Sequence, residues 1–237
     1  MMNGLQKMGG VAAPGMAATW VVGFAVFLGV LTPAGYFNES VGPAEKVAIL
    51  ADNQAIVSLS YLIPYVVFGM LLVVLALALY ERLKAGAPAM AQTATAIGLI
   101  WAGLVIAAGM VGNVGIGNVV DLYGSDPTQA GSAWLVIDTV VFGLGGQNEI
   151  AGGLWVLLIS WAALRARQLP RALNYLGVVA GVAGLLTVVP VFEVLGAVEV
   201  LGLVFGLGLI VWFIWLGIIL LRTSPRRASR TPAREAA

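Results

Sequence analysis

The chain has 237 residues, of which 60% are hydrophobic and 10% are charged, and its net charge is +1. Because water-soluble domains carry about 25% charged residues, this composition excludes a soluble globular protein and indicates one that is embedded in lipid. The absence of cysteine and histidine excludes disulfides, iron–sulfur ligation and the usual haem, zinc and proton-transfer sites.

Apolar stretches of the length that a helix needs to cross about 30 Å of hydrocarbon recur along the chain. They predict an all-α membrane protein, a bundle of six transmembrane helices that occupies residues 13–221. A cytoplasmic N-terminus (1–12) precedes the bundle, and a basic, disordered cytoplasmic tail (222–237) follows it. The predicted spans are 13–33, 55–83, 91–112, 136–164, 172–191 and 195–221.

The distribution of charge orients this bundle. Eleven of the twelve Lys and Arg residues lie in the N-terminus, in the turns after the second and fourth spans, and in the C-terminal tail. Since cytoplasmic loops are the ones rich in Lys and Arg, both termini are predicted to be cytoplasmic. The exception is Lys46, which we expect beside Glu45 in an outer loop. The abundance of Ala, Gly, Val and Arg is typical of a bacterial inner-membrane protein.

Three local features qualify this pattern. Lys7 and the apolar run after it allow a second interpretation of the first span, as a cleaved signal peptide. The second span is longer than a perpendicular helix needs, and Pro64 predicts a bend in it. Residues 44–53 mix apolar and polar side chains and predict a short helix on the outer membrane interface.

The best candidate for a functional site is a polar segment at the start of the fourth span. Glu149 is predicted to lie about 22 Å up the helix from its inner end, at a depth where ionisable groups often mark ion or substrate paths. The preceding glycines would permit a broken helix there. The alternative is a structural carboxylate near the outer headgroups. Asp138 lies eleven residues earlier, on nearly the same face of a continuous helix. The predicted site comprises Gln147, Asn148, Glu149, Asp138 and Asn113.

The hairpin GLWVLLISWAALRARQLPRALNYLG (153–177) and the end of the second span, LYERLK (79–84), resemble an uncharacterised bacterial family of six-span membrane proteins. That family is defined only as a domain of unknown function, number four-three-eight-six. The resemblance covers roughly residues 17–222 and implies the same fold, with no activity to carry over. Family members often have a polar start to the fourth span that sometimes contains His, whereas this chain has Gln147, Asn148 and Glu149 there.

The remaining expectations concern the basic tail, the chemistry of the protein, its partners and its function. Arginines beside a span hold anionic lipid headgroups at about 1 kcal/mol each, although they also serve simply as a topology anchor. We expect no catalytic residues, no cofactor, no metal and no nucleic-acid partner, and as partners the lipid bilayer and other membrane helices. The leading hypothesis is a non-catalytic accessory, interaction or scaffold protein, and the alternative is a small transporter or channel-like protein that uses Glu149. The predicted lipid contacts are Arg222, Arg226, Arg227 and Arg230.

Overall fold

The structure, a computed structural model, describes residues 4–146 and 149–223. Within these two ranges all regular elements are helical and no strand occurs. Five helical stretches are long and apolar enough to cross a membrane, which confirms the predicted all-α membrane fold at this level. They cover Gly4–Leu31, Gln54–Leu83, Pro88–Tyr123, Pro127–Ala166 and Val198–Arg222.

The described chain forms α-helices that three short π-helical segments interrupt or extend. The π-helical segments are Phe27–Leu31, Leu62–Val67 and Phe142–Gly146. The α-helices are α1 (Gly4–Val26), α2 (Pro43–Asp52), α3 (Gln54–Tyr61), α4 (Phe68–Leu83), α5 (Pro88–Tyr123), α6 (Pro127–Val141), α7 (Ile150–Ala166), α8 (Arg171–Leu186), α9 (Pro190–Val194) and α10 (Val198–Arg222).

The predicted irregularity of the second span is present. Pro64 lies in the π-helical segment Leu62–Val67, between α3 and α4. Proline has no backbone N–H to donate and crowds the preceding turn, so the helix widens locally instead of ending. The Ser60 hydroxyl donates a hydrogen bond of 2.7 Å to the Val57 carbonyl one turn earlier.

Two elements differ in length from the prediction. Helix α5 has 36 residues and is about 54 Å long, so it continues well past residue 112, the predicted end of the third span. Helix α8 has 16 residues and is about 24 Å long, which is less than the hydrocarbon thickness. The predicted fifth span, 172–191, is therefore present as a shorter apolar helix, followed by a turn and α9.

Aromatic side chains fill the centre of the bundle. The fully buried Trp155 of α7 packs against Trp101 of α5, with ring centroids 5.7 Å apart, and against Trp212 of α10 at 5.9 Å. Phe68 and Phe213 complete this aromatic core. Helix α1 packs against α4 and α10, so its removal as a signal peptide would expose one side of the central core.

We call the end of the bundle where Gln6 meets Thr223 the inner end and the opposite end the outer end. A second hydrophobic core lies at the outer end, where α2 and α6 pack against the end of α5. Val47 and Leu50 of α2 are almost completely buried beside Ile116 and Trp134. The predicted short helix at 44–53 is thus present as α2. These two apolar side chains face the protein, however, and do not face the membrane interface.

Helices α7 and α8 approach so closely that their backbones touch at glycines. A Cβ atom on Gly181 would lie 2.7 Å from the carbonyl oxygen of Gly153, and one on Gly153 would lie 2.8 Å from that of Gly181. Gly177 likewise faces Ser160 of α7. Small residues permit this kind of packing in lipid. Here they allow α7 and α8, the two helices of the predicted hairpin, to pack in direct contact. Gly202 of α10, by contrast, faces open space.

Candidate polar site at the outer end of the bundle

The helix break between α6 and α7 positions Glu149. Gly145 has φ 116° and ψ 18°, a left-handed conformation that lies outside the helical region and favours glycine. Helix α6 ends before it, and α7 begins at Ile150 with Glu149 as its N-cap residue. The broken-helix interpretation of this glycine-rich segment is confirmed. Gln147 and Asn148, two residues of the predicted site, lie outside the described residues.

Glu149 is a partly buried acid at the outer end of a membrane helix. Its backbone carbonyl accepts a hydrogen bond of 2.7 Å from the Gly153 N–H, which starts the helix. Along residues 4–146 and 149–223, its carboxylate accepts no hydrogen bond and forms no ion pair. From Glu149 to the end of α7 the helix rises about 25 Å.

The predicted helical phase of Asp138 relative to Glu149 is wrong. The prediction required one continuous helix. Gly145, in its left-handed conformation, instead separates α6 from α7 and changes the direction of the chain. Asp138 instead belongs to α6 and the outer core, where it is partly buried near Tyr36. The two acids therefore lie on separate helices and do not share a face of one.

Tyr36, in the loop before α2, organises the polar groups around Asp138. Its hydroxyl accepts a hydrogen bond of 2.8 Å from the indole Nε1–H of Trp134, a residue that is 2% exposed. The Lys46 ammonium lies 5.5 Å from the centroid of the Tyr36 ring, a cation–π distance. Burial raises the pKa of Tyr36 to about 12, Trp134 lowers it and the Asp138 charge raises it. Tyr36 therefore keeps its proton at physiological pH.

Lys46, the cation that departs from the charge pattern, thus contacts an aromatic ring. Glu45, the neighbour expected beside it, accepts a hydrogen bond from the Gly42 N–H at 3.1 Å and so caps the start of α2. Neither Tyr36 nor Trp134 was singled out from the sequence. The sequence signal in this region was a single lysine among acidic residues of the outer loops. It did not indicate which aromatic ring the lysine contacts.

Two tyrosines connect the surroundings of Asp138 with those of Glu149. The rings of Tyr61 and Tyr65 stack with centroids 5.4 Å apart, across from the glycines of α5. Tyr65 lies within electrostatic range of both acids. Gly112 of α5 leaves the space that the Tyr61 ring occupies. The structure thus places Asp138, Glu149 and this tyrosine pair in one outer polar region.

Asn113 lies on α5 at the same end of the bundle and is partly buried. In the part of the chain that the structure describes, no group of three His, Asp or Glu side chains is arranged to hold a metal ion. The chemistry available to the outer polar region is therefore that of carboxylates and phenols. Such groups accept or donate protons and attract cations.

The inner end of the bundle contains a polar contact that sequence patterns did not predict. Arg82 of α4 is 5% exposed, and it donates hydrogen bonds to the Thr223 carbonyl (3.1 Å), the Thr223 hydroxyl (2.8 Å) and the Gln168 carbonyl (3.1 Å). Gln6 donates to the carbonyls of Leu220 (2.8 Å) and Thr223 (2.6 Å). We name the side chains and carbonyls of Gln6, Arg82, Gln168 and Thr223 the inner clasp.

Among the described residues, the inner clasp pairs the buried charge of Arg82 with carbonyl and hydroxyl oxygens and not with a carboxylate. Thr223 follows the last residue of α10, and Gln168 lies in the turn after α7, so both carbonyls are at the C-terminal ends of helices. The negative end of the helix dipole favours a cation there. By sequence, Arg82 counts only as one of several inner-side charges, because hydropathy does not specify which helix ends meet.

Together, the long apolar helices, the aromatic core and the two polar ends define an α-helical, multi-pass membrane protein. The family described as Domain of unknown function (DUF4386) matches residues 10–219. The chain therefore belongs to this family, as the hairpin and the end of the second span predicted. No curated protein and no solved structure matches it.

Proposed function

We propose that this protein crosses a bacterial inner membrane six times, with both termini in the cytoplasm, and acts as a non-catalytic accessory or interaction subunit. In this proposal α8 also crosses the membrane, as the fifth of the six spans in chain order. Its 16 residues are followed by further apolar residues, among them Val191, Val194 and Leu195, which are exposed and extend the apolar surface toward the outer headgroups.

The contacts between chain segments support this orientation. Gln6 near the N-terminus contacts the end of α10, and Arg82 joins that end to the turn after α7. A Cβ atom on Gly86 would lie 2.7 Å from the Cα atom of Ala166, so the turn after α4 lies beside the end of α7. The four segments rich in Lys and Arg thus meet at one end of the bundle, as the positive-inside rule requires of cytoplasmic segments.

The observation that carries an accessory role is the filled interior. Trp101, Trp155, Trp212, Phe68 and Phe213 occupy the centre of the bundle, at the level where a transport path would cross the membrane. Two cavities among the described residues, one beside Arg165 and one beside Gly145, are open at the surface. Closely packed aromatic side chains leave few voids of water size, which favours an interaction surface on the lipid-facing flank over a transport path through the centre.

In-cell photocrosslinking tests this role. A photoreactive residue at Leu207, exposed on α10, is expected to give one discrete product with a second membrane protein. The same probe at Leu209, fully buried in the core, serves as the control and should give none. The accessory role is contradicted if Leu207 crosslinks to lipid alone while flux assays with the purified protein detect transport.

A second candidate function is cation or proton transport through an outward-facing site around Glu149. The observation in its favour is a carboxylate in a membrane-spanning segment that lacks an ion-pair partner among the described residues, beside a helix break. Because unpaired acids are costly in hydrocarbon, those that occur there commonly have a function. Tyr65, within electrostatic range, would contribute to the same site.

Glu149→Gln is the decisive variant for this second function. If the site transports cations, the charge-dependent current of reconstituted protein after a pH or sodium jump should fall at least about tenfold, because the substitution keeps the shape and removes the charge. Glu193→Gln removes an exposed acid of α9 and should leave the current unchanged. Equal currents from the wild-type protein and Glu149→Gln would exclude Glu149 as a transport site.

A further inference from the structure

A surface cavity of about 300 Å³ lies at the inner end of the bundle, where the turn between α4 and α5 meets the end of α7. This volume is at the lower limit of small-molecule sites. The cavity is distinct from the inner clasp and from the outer polar region. Its lining consists of Gly86, Ala87, Pro88, Ala89, Met90 and Arg165.

Arg165 is the one charged side chain of this cavity, and an aromatic ring positions it. Its guanidinium carbon lies 5.6 Å from the centroid of Trp161, one turn earlier on α7. Trp161 is 47% exposed on a helix that crosses the membrane, so its ring faces lipid. A tryptophan with an arginine above it is typical of the boundary between acyl chains and headgroups.

The charge around the cavity selects an anionic ligand. The exposed cations at this end include Lys7, Lys84, Arg167, Arg171 and Arg222. Glu81 is the acid among the described residues here, and it pairs with Lys84 at 2.7 Å. Arg165 therefore has no carboxylate partner along the described chain. An unpaired guanidinium in a strongly basic surface attracts phosphate.

We infer that this cavity binds the phosphate headgroup of an anionic phospholipid, with Arg165 on the phosphate and Trp161 against the glycerol and upper acyl chain. The lipid-facing ring beside the arginine favours a lipid over a soluble phosphate. This site differs from the predicted tail contacts. Arg226, Arg227 and Arg230 lie outside the described residues, and Arg222, exposed at the end of α10, does not line the cavity.

The test is native mass spectrometry of the purified full chain with short-chain phosphatidylglycerol, phosphatidylcholine or inorganic phosphate. The wild-type protein should retain phosphatidylglycerol preferentially. Arg165→Gln should weaken that retention about tenfold, the factor that 1.4 kcal/mol of lost binding free energy represents. Arg171→Gln removes the same charge from the first residue of α8, outside the cavity, and should change retention less than about twofold.

Ala89→Trp provides a second variant, which fills the cavity without changing any charge. It should also displace phosphatidylglycerol, and thermal unfolding of all variants establishes that they are folded. Equal weakening by Arg165→Gln and Arg171→Gln would overturn the inference in favour of diffuse charge attraction. Equal retention of the two lipids, or displacement of lipid by inorganic phosphate, would also overturn it.

Discussion

Replacing Arg82 with Ala is expected to lower the free energy of unfolding by about 3 kcal/mol, and the thermal midpoint by roughly 6–12 °C. The substitution removes three hydrogen bonds from a charged group. It also removes one donor from the Thr223 carbonyl, which Gln6 still contacts, and one from the Gln168 carbonyl. Thermal unfolding in detergent, followed by tryptophan fluorescence, measures the effect.

Two variants distinguish the effect of the hydrogen bonds in the inner clasp from a general effect of positive charge. Lys84→Ala removes an exposed cation two residues further on, whose partner is Glu81, and should leave the midpoint within about 2 °C because exposed ion pairs contribute little. Arg82→Lys keeps the charge but cannot reach both carbonyls with one ammonium group, so it should behave nearly like Arg82→Ala. A midpoint for Arg82→Ala equal to that of the wild type would rule out the clasp.

Gly181→Ala is expected to destabilise the protein by about 3 kcal/mol, the upper range for overpacked cores. The new Cβ atom would lie 2.7 Å from the Gly153 carbonyl oxygen and 2.8 Å from the Leu157 backbone nitrogen. Backbone atoms of a helix cannot rotate away as side chains do, so α7 and α8 must separate. The same unfolding measurement is expected to give a midpoint lower by roughly 6–12 °C.

Gly103→Ala is the matched control for this prediction. Gly103 is also in the interior of a membrane helix, but a Cβ atom there would have no neighbour within 4 Å. Alanine is the better helix former by about 1 kcal/mol, so this variant should be as stable as the wild type or slightly more stable. If both alanines have the same effect, close packing of α7 on α8 is not what holds the hairpin.

Hydropathy predicted the helical membrane fold because burial in lipid requires long apolar helices. It misjudged the end of α5, since the polar Asn113 and the glycines after it are typical of a loop. The helix continues because the outer core supports it, with Ile137 of α6 packed on Gly115. It also overestimated α8, because the apolar composition continues beyond Leu186 although the helix does not.

The position of Glu149 at a glycine-rich helix break could be predicted, because residue type and depth are local properties of the sequence. The residues that surround the polar sites could not be predicted. Tyr36 and Trp134 are 98 residues apart, and Arg82 and Thr223 are 141 residues apart. The periodicity of one helix does not specify which residue of another helix a side chain will contact. The contacts at both polar ends could therefore be found only from the three-dimensional structure.

The central claim is that α8 crosses the membrane in addition to the five long helical stretches, so that both termini lie on one side. Cysteine accessibility tests this claim. Because the chain contains no cysteine, each variant carries a single reactive thiol. With a membrane-impermeant maleimide on intact cells, Ser125→Cys and Glu193→Cys are expected to react, and Ala85→Cys only after permeabilisation. A Glu193→Cys thiol that reacts from the same side as Ala85→Cys would contradict the account, because α8 would then not cross the membrane.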